Sequence, residues 1–293
     1  MNNINLGARA NLVGAGWMIL AMAIFALEDT LLKFVTQQMP VGQALILFGM
    51  GGAVLFALMS IIQKQPLFVP DVLSPPMRVR LVFEVMGRMF FLLALTLNPL
   101  STVTAILQAT PLVVVAGAAI CFGEQVGWRR WSSIILGMVG VLVVLRPGLD
   151  GSNIYAITAV LGMLGFAGRD LASRAAPNTL STALLGLYGF LAVIVAGGMF
   201  SIWDGVHYVW PDRFTNMCLI AVTIFGVCAY GSLMKAMRMG DVSAVTPFRY
   251  TRLIFGIGCG ILFFGEMLDS VMLFGCALIV LSGLFVMQRG ARK

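Results

Sequence analysis

The sequence predicts an all-α integral membrane protein of about ten transmembrane helices, arranged as two inverted five-helix repeats around a central cavity. Three observations lead there. Of the 293 residues, 60% are hydrophobic and only 11% are charged, with a mean hydropathy of +0.97. Uncharged stretches recur at membrane-spanning length. The two halves of the chain also match one another at a nearly constant offset. A soluble globular domain carries about twice that share of charge.

Taken in order, the opening MNNINLGARANLVGAGW has no small-residue cleavage site and reads as a short tail leading into a first span over 11–35, which contains FALEDTLLK. The second span, 42–62, lies inside the charge-free run Val41 to Gln63, and the third, 77–97, contains Glu84 and Arg88. Asn98 and Pro99 read as the N-terminal cap of a fourth span, 101–122, inside the charge-free run Leu100 to Gly123. The fifth, 130–146, is glycine-rich, and the sixth, 153–174, ends in a charged segment. Charge-free runs from Ala175 to Trp203 and from Phe214 to Met234 hold the seventh (180–201) and eighth (214–236). Asp241 reads as the cap of the ninth, 242–264, and the tenth covers 270–288. Each charge-free run exceeds the roughly 20 residues that a crossing helix needs. Pro111 and Pro247 fall inside spans and should kink them. Gly162, Gly165, Gly168, Gly256 and Gly260 should let helices approach closely. The five cysteines form no CxxC pair and are read as packing residues. Glu124 and Glu266 follow helix-ending glycines and are read as capping or stabilising the next helix start.

Basic residues set the orientation. With the N-terminus inside, the cytoplasmic tails and loops hold Arg9, Lys64, Arg78, Arg80, Arg129, Arg130, Arg174, Lys235, Arg238, Arg289, Arg292 and Lys293, twelve of the nineteen. The opposite side holds Arg146 and Arg213, so both termini are expected in the cytoplasm of an inner-membrane protein. The net charge of +7 is thus a topology signal, and no nucleic-acid partner is implied. Trp128 and Trp131 on one side, and Trp203, Tyr208 and Trp210 on the other, fit two interfacial belts.

At an offset of 142, ALTLNPLSTVT from Ala94 aligns with AMRMGDVSAVT from Ala236, and Phe122-Gly123-Glu124 with Phe264-Gly265-Glu266. At 141, FALEDTLLK aligns with FAGRDLASR, matching Asp29 with Asp170 and Lys33 with Arg174. Five spans is an odd number, so the second copy, 148–293, enters the membrane from the face opposite to the first, 1–147. Inverted repeats of this kind build secondary transporters whose substrate sits near the midplane.

A helix ending in FGE, then WRRW, ILGMVGVLVVL and LRPG, followed by PFRYTRLIFG, FFGE and LSGLFVMQRG, resembles the drug/metabolite transporter superfamily in its ten-helix, EamA-type branch. The resemblance covers nearly the whole chain. It implies two inverted five-helix bundles around a central cavity, no ATPase module and no bound cofactor. Members export amino acids and drugs or import metabolites such as riboflavin or S-adenosylmethionine. In agreement, no GxxxxGK[ST] loop occurs.

Charged residues inside spans are the candidate functional residues. Each arginine facing lipid at a helix centre costs roughly 2.5–3.5 kcal/mol, so these residues should face protein or water. Arg252, Arg88, Glu84, Tyr250, Arg249, Phe25 and Phe248 are the candidate substrate-binding or cavity residues. Glu84 and Arg88, four apart, share a helix face. Arg249 and Arg252 have no acid on their own helix before Glu266, so their partners come from Glu84, Asp29, Asp170 or a substrate carboxylate or phosphate. Glu28, Asp29 and Lys33, near the outer end of the first span, and Arg169, Asp170 and Arg174, near the inner end of the sixth, are candidates for gating or coupling. They read either as ion pairs that close opposite gates in alternation or as solvated residues at helix ends. Phe90, Phe91 and Phe166 are further ring candidates, for cavity lining or for packing.

The function expected is secondary transport of a small polar or zwitterionic metabolite, an amino acid or a relative, with export as the direction implied by resemblance. The alternative is import of a nucleoside-like metabolite such as riboflavin or S-adenosylmethionine. Of other classes, a non-transporting membrane protein would not need paired charges at matching depth in two halves. An intramembrane enzyme would need a catalytic constellation, whereas the single histidine, His207, lies in the outer loop and neither HExxH nor GxSxG occurs. The partners expected are a small-molecule substrate and the lipid bilayer, with a proton as an open choice of coupling ion; no metal or cofactor is expected.

Overall fold

In hydrocarbon there is no water to satisfy backbone N–H and C=O groups, so a long apolar run must satisfy them within itself, as a helix. The computed structural model describes residues 2–123, 126–145, 155–177, 179–239 and 245–290, with backbone alone at 2–9, 130, 174, 237–239 and 286–290. Glu124, Arg146 and Asp241 lie outside the described residues. All the regular structure among the described residues is helical: α1 (Asn2–Gln38), α2 (Val41–Ile62), α3 (Pro75–Leu97), α4 (Leu100–Leu107), α5 (Thr110–Phe122), α6 (Trp128–Leu145), α7 (Ile157–Arg174), α8 (Thr182–Asp204), α9 (Arg213–Met239), α10 (Thr251–Phe264) and α11 (Ser270–Gly290). Short 3-10 turns cover Pro70–Leu73 and Thr246–Tyr250. Five segments are long and apolar enough to cross a membrane: Ala10–Gln38, Val41–Ile62, Leu100–Phe122, Thr182–Asp204 and Arg213–Ala236. Large apolar side chains such as Ile62, Ile202 and Leu262 are about four-fifths exposed, a surface suited to lipid and not to water.

Two expectations are corrected and one is met. The N-terminal segment is not a separate tail, because α1 is helical from Asn2 and no proline interrupts it. The interruption expected of Pro111 is met: the fourth span is broken into α4 and α5 around Gln108 and Ala109. Pro111 has no N–H to give to the Leu107 carbonyl, and the Thr110 hydroxyl donates to that carbonyl instead, at 2.6 Å. Of the cysteines read as packing residues, Cys218, Cys259 and Cys276 are buried, whereas Cys121 and Cys228 are exposed.

By its contacts the chain falls into two units. The first comprises Met1–Thr30, Pro99–Asn153 and Cys228–Lys293; the second comprises Leu31–Asn98 and Ile154–Val227. In the first unit α6 packs along α11, α4 packs against α10, and a cluster of Met18, Ala21, Met22, Ala236 and Val245 joins α1 to the end of α9. In the second, α2 packs on α8 and α3 on α7. Glycines permit these approaches: a Cβ at Gly49 would lie 2.9 Å from the Ile194 backbone nitrogen, and one at Gly162 would lie 3.0 Å from that of Phe91.

The start of α4 is capped differently from the sequence-based expectation. Asn98 closes α3 instead, its amide donating to the carbonyls of Ala94 (3.0 Å) and Tyr155 (3.2 Å). The cap of α4 comes from Glu266, whose carboxylate accepts from Leu100 N (2.5 Å), Ser101 N (2.9 Å) and the Ser101 hydroxyl (2.5 Å). Gly265 ends α10 at φ +62°, a left-handed conformation that glycine adopts without strain, and so brings Glu266 to α4. A negative charge there also complements the helix dipole. Glu266→Ala should cost about 2 kcal/mol, read as a fall of roughly 4–8 °C in thermal unfolding of the purified protein. Unchanged melting would show that the cap contributes nothing to stability.

Candidate functional site

Two charged clusters form, one in each unit. In the first unit, Phe25 and Asp29 lie one turn apart on α1 and face the start of α10. Pro247 cannot continue a helical ladder, and Thr246–Tyr250 takes a 3-10 path before α10 begins. Arg252, the second residue of α10, donates from Nη2 to Asp29 Oδ2 at 2.6 Å, with its guanidinium carbon 5.1 Å from the centre of the Phe25 ring. Asp29 is 3% exposed and Arg252 21% by side chain, so the pair reaches accessible space through the arginine. Arg252 Nε is buried and has no hydrogen-bond partner among the described residues, leaving a donor for a further acceptor.

Other expected cavity residues are placed around this pair. Glu28 is buried beside Asp29. Arg249 is half-buried in the 3-10 turn, and its carbonyl accepts from Gln108 Nε2 at 3.1 Å, at the break between α4 and α5. Phe248 is 37% exposed. Tyr250 is buried, with its hydroxyl against Gly283 of α11, where a Cβ would overlap it.

In the second unit, α3 aligns Arg80, Glu84 and Arg88 at intervals of four, on one face. Arg88 Nε lies 3.4 Å from Glu84 Oε1, and Arg169 Nη1 of α7 lies 3.4 Å from the same oxygen. Arg169 also donates to Asp170 Oδ1, from Nη2 at 2.8 Å and Nε at 3.0 Å. Arg88 stands 5.9 Å from the Phe48 ring and 5.6 Å from the Phe166 ring, and Arg169 stands 4.9 Å from the latter. Phe91 packs on Phe166 with ring centroids 5.5 Å apart. Lys33 donates to the Asn98 carbonyl at 2.5 Å, putting a positive charge at the end of α3. Arg174 ends α7, and its side chain lies outside the described ones.

Arg80 is the residue that the sequence reading misplaced. It had been assigned to a cytoplasmic loop, yet it is 6% exposed inside the bundle. Its Nε donates to Ser173 Oγ of α7 at 3.0 Å and its Nη2 to the Leu185 carbonyl of α8 at 3.2 Å, with Glu84 Oε2 3.6 Å away. The four-residue spacing from Arg80 to Glu84 to Arg88 was the signal available. Phe48, on an uncharged span, carried none. Each cluster combines both signs of charge with an aromatic ring, an arrangement able to hold a polar or zwitterionic molecule with a flat or apolar part.

The model of the EamA-like transporter family matches residues 12–146 and again residues 153–288. An S-adenosylmethionine uptake transporter of Rickettsia conorii is 23% identical over 97% of this chain and 95% of its own length. A riboflavin transporter of Rhizobium johnstonii is 25% identical over 100% of this chain and 97% of its own. A pseudopaline exporter of Pseudomonas aeruginosa is 22% identical over 90% and 92%. One solved crystal structure shares the fold, with a TM-score of 0.64 at 20% identity over 97% of this chain and 99% of the other. Two adjacent family matches account for nearly all of the apolar helical chain, which is therefore a multi-pass membrane protein belonging to the EamA-like transporter family.

Proposed function

We propose that this protein is a secondary transporter of the inner membrane that moves a small zwitterionic metabolite, an amino acid or a relative of one, by alternating access. The observation that carries this reading is the Arg252–Asp29 pair over Phe25: a cation, an anion and a ring on neighbouring apolar helices. An arginine in such a segment is costly unless paired or used, and Arg252 keeps a donor beyond its bond to Asp29. A zwitterion offers the complementary charges to both.

The inverted-repeat architecture, with repeats 1–147 and 148–293, is supported from within each unit. Helices that correspond at the repeat offset pack together, α2 with α8 and α6 with α11. Gln108 bonds Arg249, 141 residues on, which is the offset that aligns FALEDTLLK with its mate. Contact between repeat mates is expected beside a pseudo-two-fold axis. In this arrangement Asp29 with Arg252, and Asp170 with Arg169, act as ionic gates toward opposite faces, and both termini lie in the cytoplasm.

Export is the first direction. Import of a nucleoside-like metabolite is the second reading, favoured by the names of the S-adenosylmethionine uptake and riboflavin relatives, each aligned over nearly its whole length.

Arg252→Ala should abolish transport of labelled amino acids in proteoliposomes while leaving an inserted, monodisperse protein; an unchanged rate removes Arg252 from the site. Asp29→Asn and Arg252→Gln should each destabilise by about 1–3 kcal/mol, the arginine's partial exposure reducing the full buried-pair cost. The double variant should lose less than the sum, because each single change already breaks the same interaction. Full additivity would dissolve the pair. Cysteines placed at either end should label only from the cytoplasmic side, and an external C-terminus would end the inverted-repeat reading.

A further inference from the structure

Glycine inside a helix is destabilising relative to alanine, a loss that close packing can offset. Gly42, Gly49 and Gly162 each lie against the backbone of a neighbouring helix. Gly16 of α1 does not: a Cβ there would meet nothing within 4 Å. It lies instead in an apolar groove of about 320 Å³, lined by Val13, Gly16, Trp17 and Leu20, which recur at helical spacing on one face of α1. Val13 and Leu20 are exposed, and Trp17 is half-buried. Small-ligand pockets run from roughly 300 to 1,000 Å³, so this volume suits a length of hydrocarbon chain better than a whole substrate.

A cation stands at the rim. Lys235 of α9 is exposed and holds its ammonium 4.5 Å from the centre of the Trp17 ring. The packing of Met18, Ala21 and Met22 on Ala236 and Val245, with Trp17 and Leu233 against them, fixes α1 to this end of α9 and so fixes the lysine beside the groove. Both elements lie at a membrane border. Trp17 is about two turns into the crossing segment Ala10–Gln38, and Lys235 is the penultimate residue of the crossing segment Arg213–Ala236. Phosphates of the lipid headgroups and the first methylenes of their chains meet at that depth.

We propose that this face of α1 and Lys235 form a binding site for an anionic phospholipid, with an acyl chain laid over Gly16 and the headgroup phosphate on the Lys235 ammonium. The groove supplies apolar contact without a polar group to satisfy, and the lysine supplies the compact point charge that suits a phosphate. A zwitterionic lipid carries its own cation beside its phosphate, so it gains less from Lys235 than an anionic lipid does. The site concerns the surrounding lipid and not the transported molecule, and it stands whatever the substrate.

The test uses the full-length purified protein in detergent micelles doped with phosphatidylglycerol, with phosphatidylcholine of the same acyl chains as the zwitterionic control and sodium phosphate as the headgroup anion without a chain. Phosphatidylglycerol should raise the unfolding temperature by roughly 2–4 °C more than either control. Gly16→Leu fills the groove without meeting other atoms of the chain and should lose most of that difference, whereas Gly198→Leu, at an equally open glycine of α8, should keep it. Lys235→Gln should also lose it and Lys235→Arg should retain it; being exposed, this position carries the test should Gly16→Leu not fold. A rise no greater than with phosphatidylcholine, or one retained in Gly16→Leu or in Lys235→Gln, overturns the site. An equal rise with sodium phosphate overturns it too, since a bare anion would then suffice. So does a Gly16→Leu variant that changes the oligomeric mass in solution, which would give the groove to a second copy of the chain.

Discussion

A polar group placed in the apolar body of this protein is costly unless it finds a partner within the chain, because the surrounding hydrocarbon offers none. The helices are the first consequence, and the treatment of their ends is the second. The N–H groups that open α4 are met by a carboxylate from 166 residues away, and the carbonyl freed by Pro111 is met by the Thr110 hydroxyl. Asn98 and Lys33 settle the end of α3 in the same way. The charged side chains obey the same constraint: Asp29 and Glu84, each almost fully buried, both have guanidinium partners.

Irregular backbone and charge occur together in the first unit. The fourth span breaks at Gln108 and the ninth contains a 3-10 turn over Thr246–Tyr250, and Gln108 joins the two through the Arg249 carbonyl. Broken helices are tolerated at membrane depth where protein or a water-lined cavity takes up the freed groups. Arg252 sits two residues beyond that turn and bonds to Asp29 of α1. In the second unit the helices α3 and α7 are unbroken, and charge is accommodated by stacking three arginines and two acids between them, with α8 lending a carbonyl. The two clusters thus solve the same electrostatic problem by different backbone means.

Helix positions were legible in the sequence because span length and charge-free runs are direct consequences of bilayer thickness. The four uncharged runs each became a helix, or a broken pair of helices, within a few residues of the expected bounds. The Glu84–Arg88 pair was legible because helical spacing places residues four apart on one face. A capping role for Glu266 was also legible, but not the helix it caps, since the following residues and the start of α4 are equally reasonable recipients on local grounds. Arg80 was assigned to a loop because charge alone, close to a span border, does not say whether a side chain snorkels outward or turns in. Its inward turn depends on Ser173 and the Leu185 carbonyl, groups that belong to other helices.

By itself the sequence determined the all-helical membrane-protein class, the approximate spans, the duplicated pattern and the family resemblance, because these follow from composition, periodicity and internal repetition. Only the tertiary structure decided that Asp29 answers Arg252, that Glu84 is shared among three arginines, and that Phe48 and Phe166 stand beside Arg88. The reason is physical: helix spacing relates residues three or four apart on one rod, whereas these contacts join rods whose packing is set by glycines and side-chain volume along their whole length.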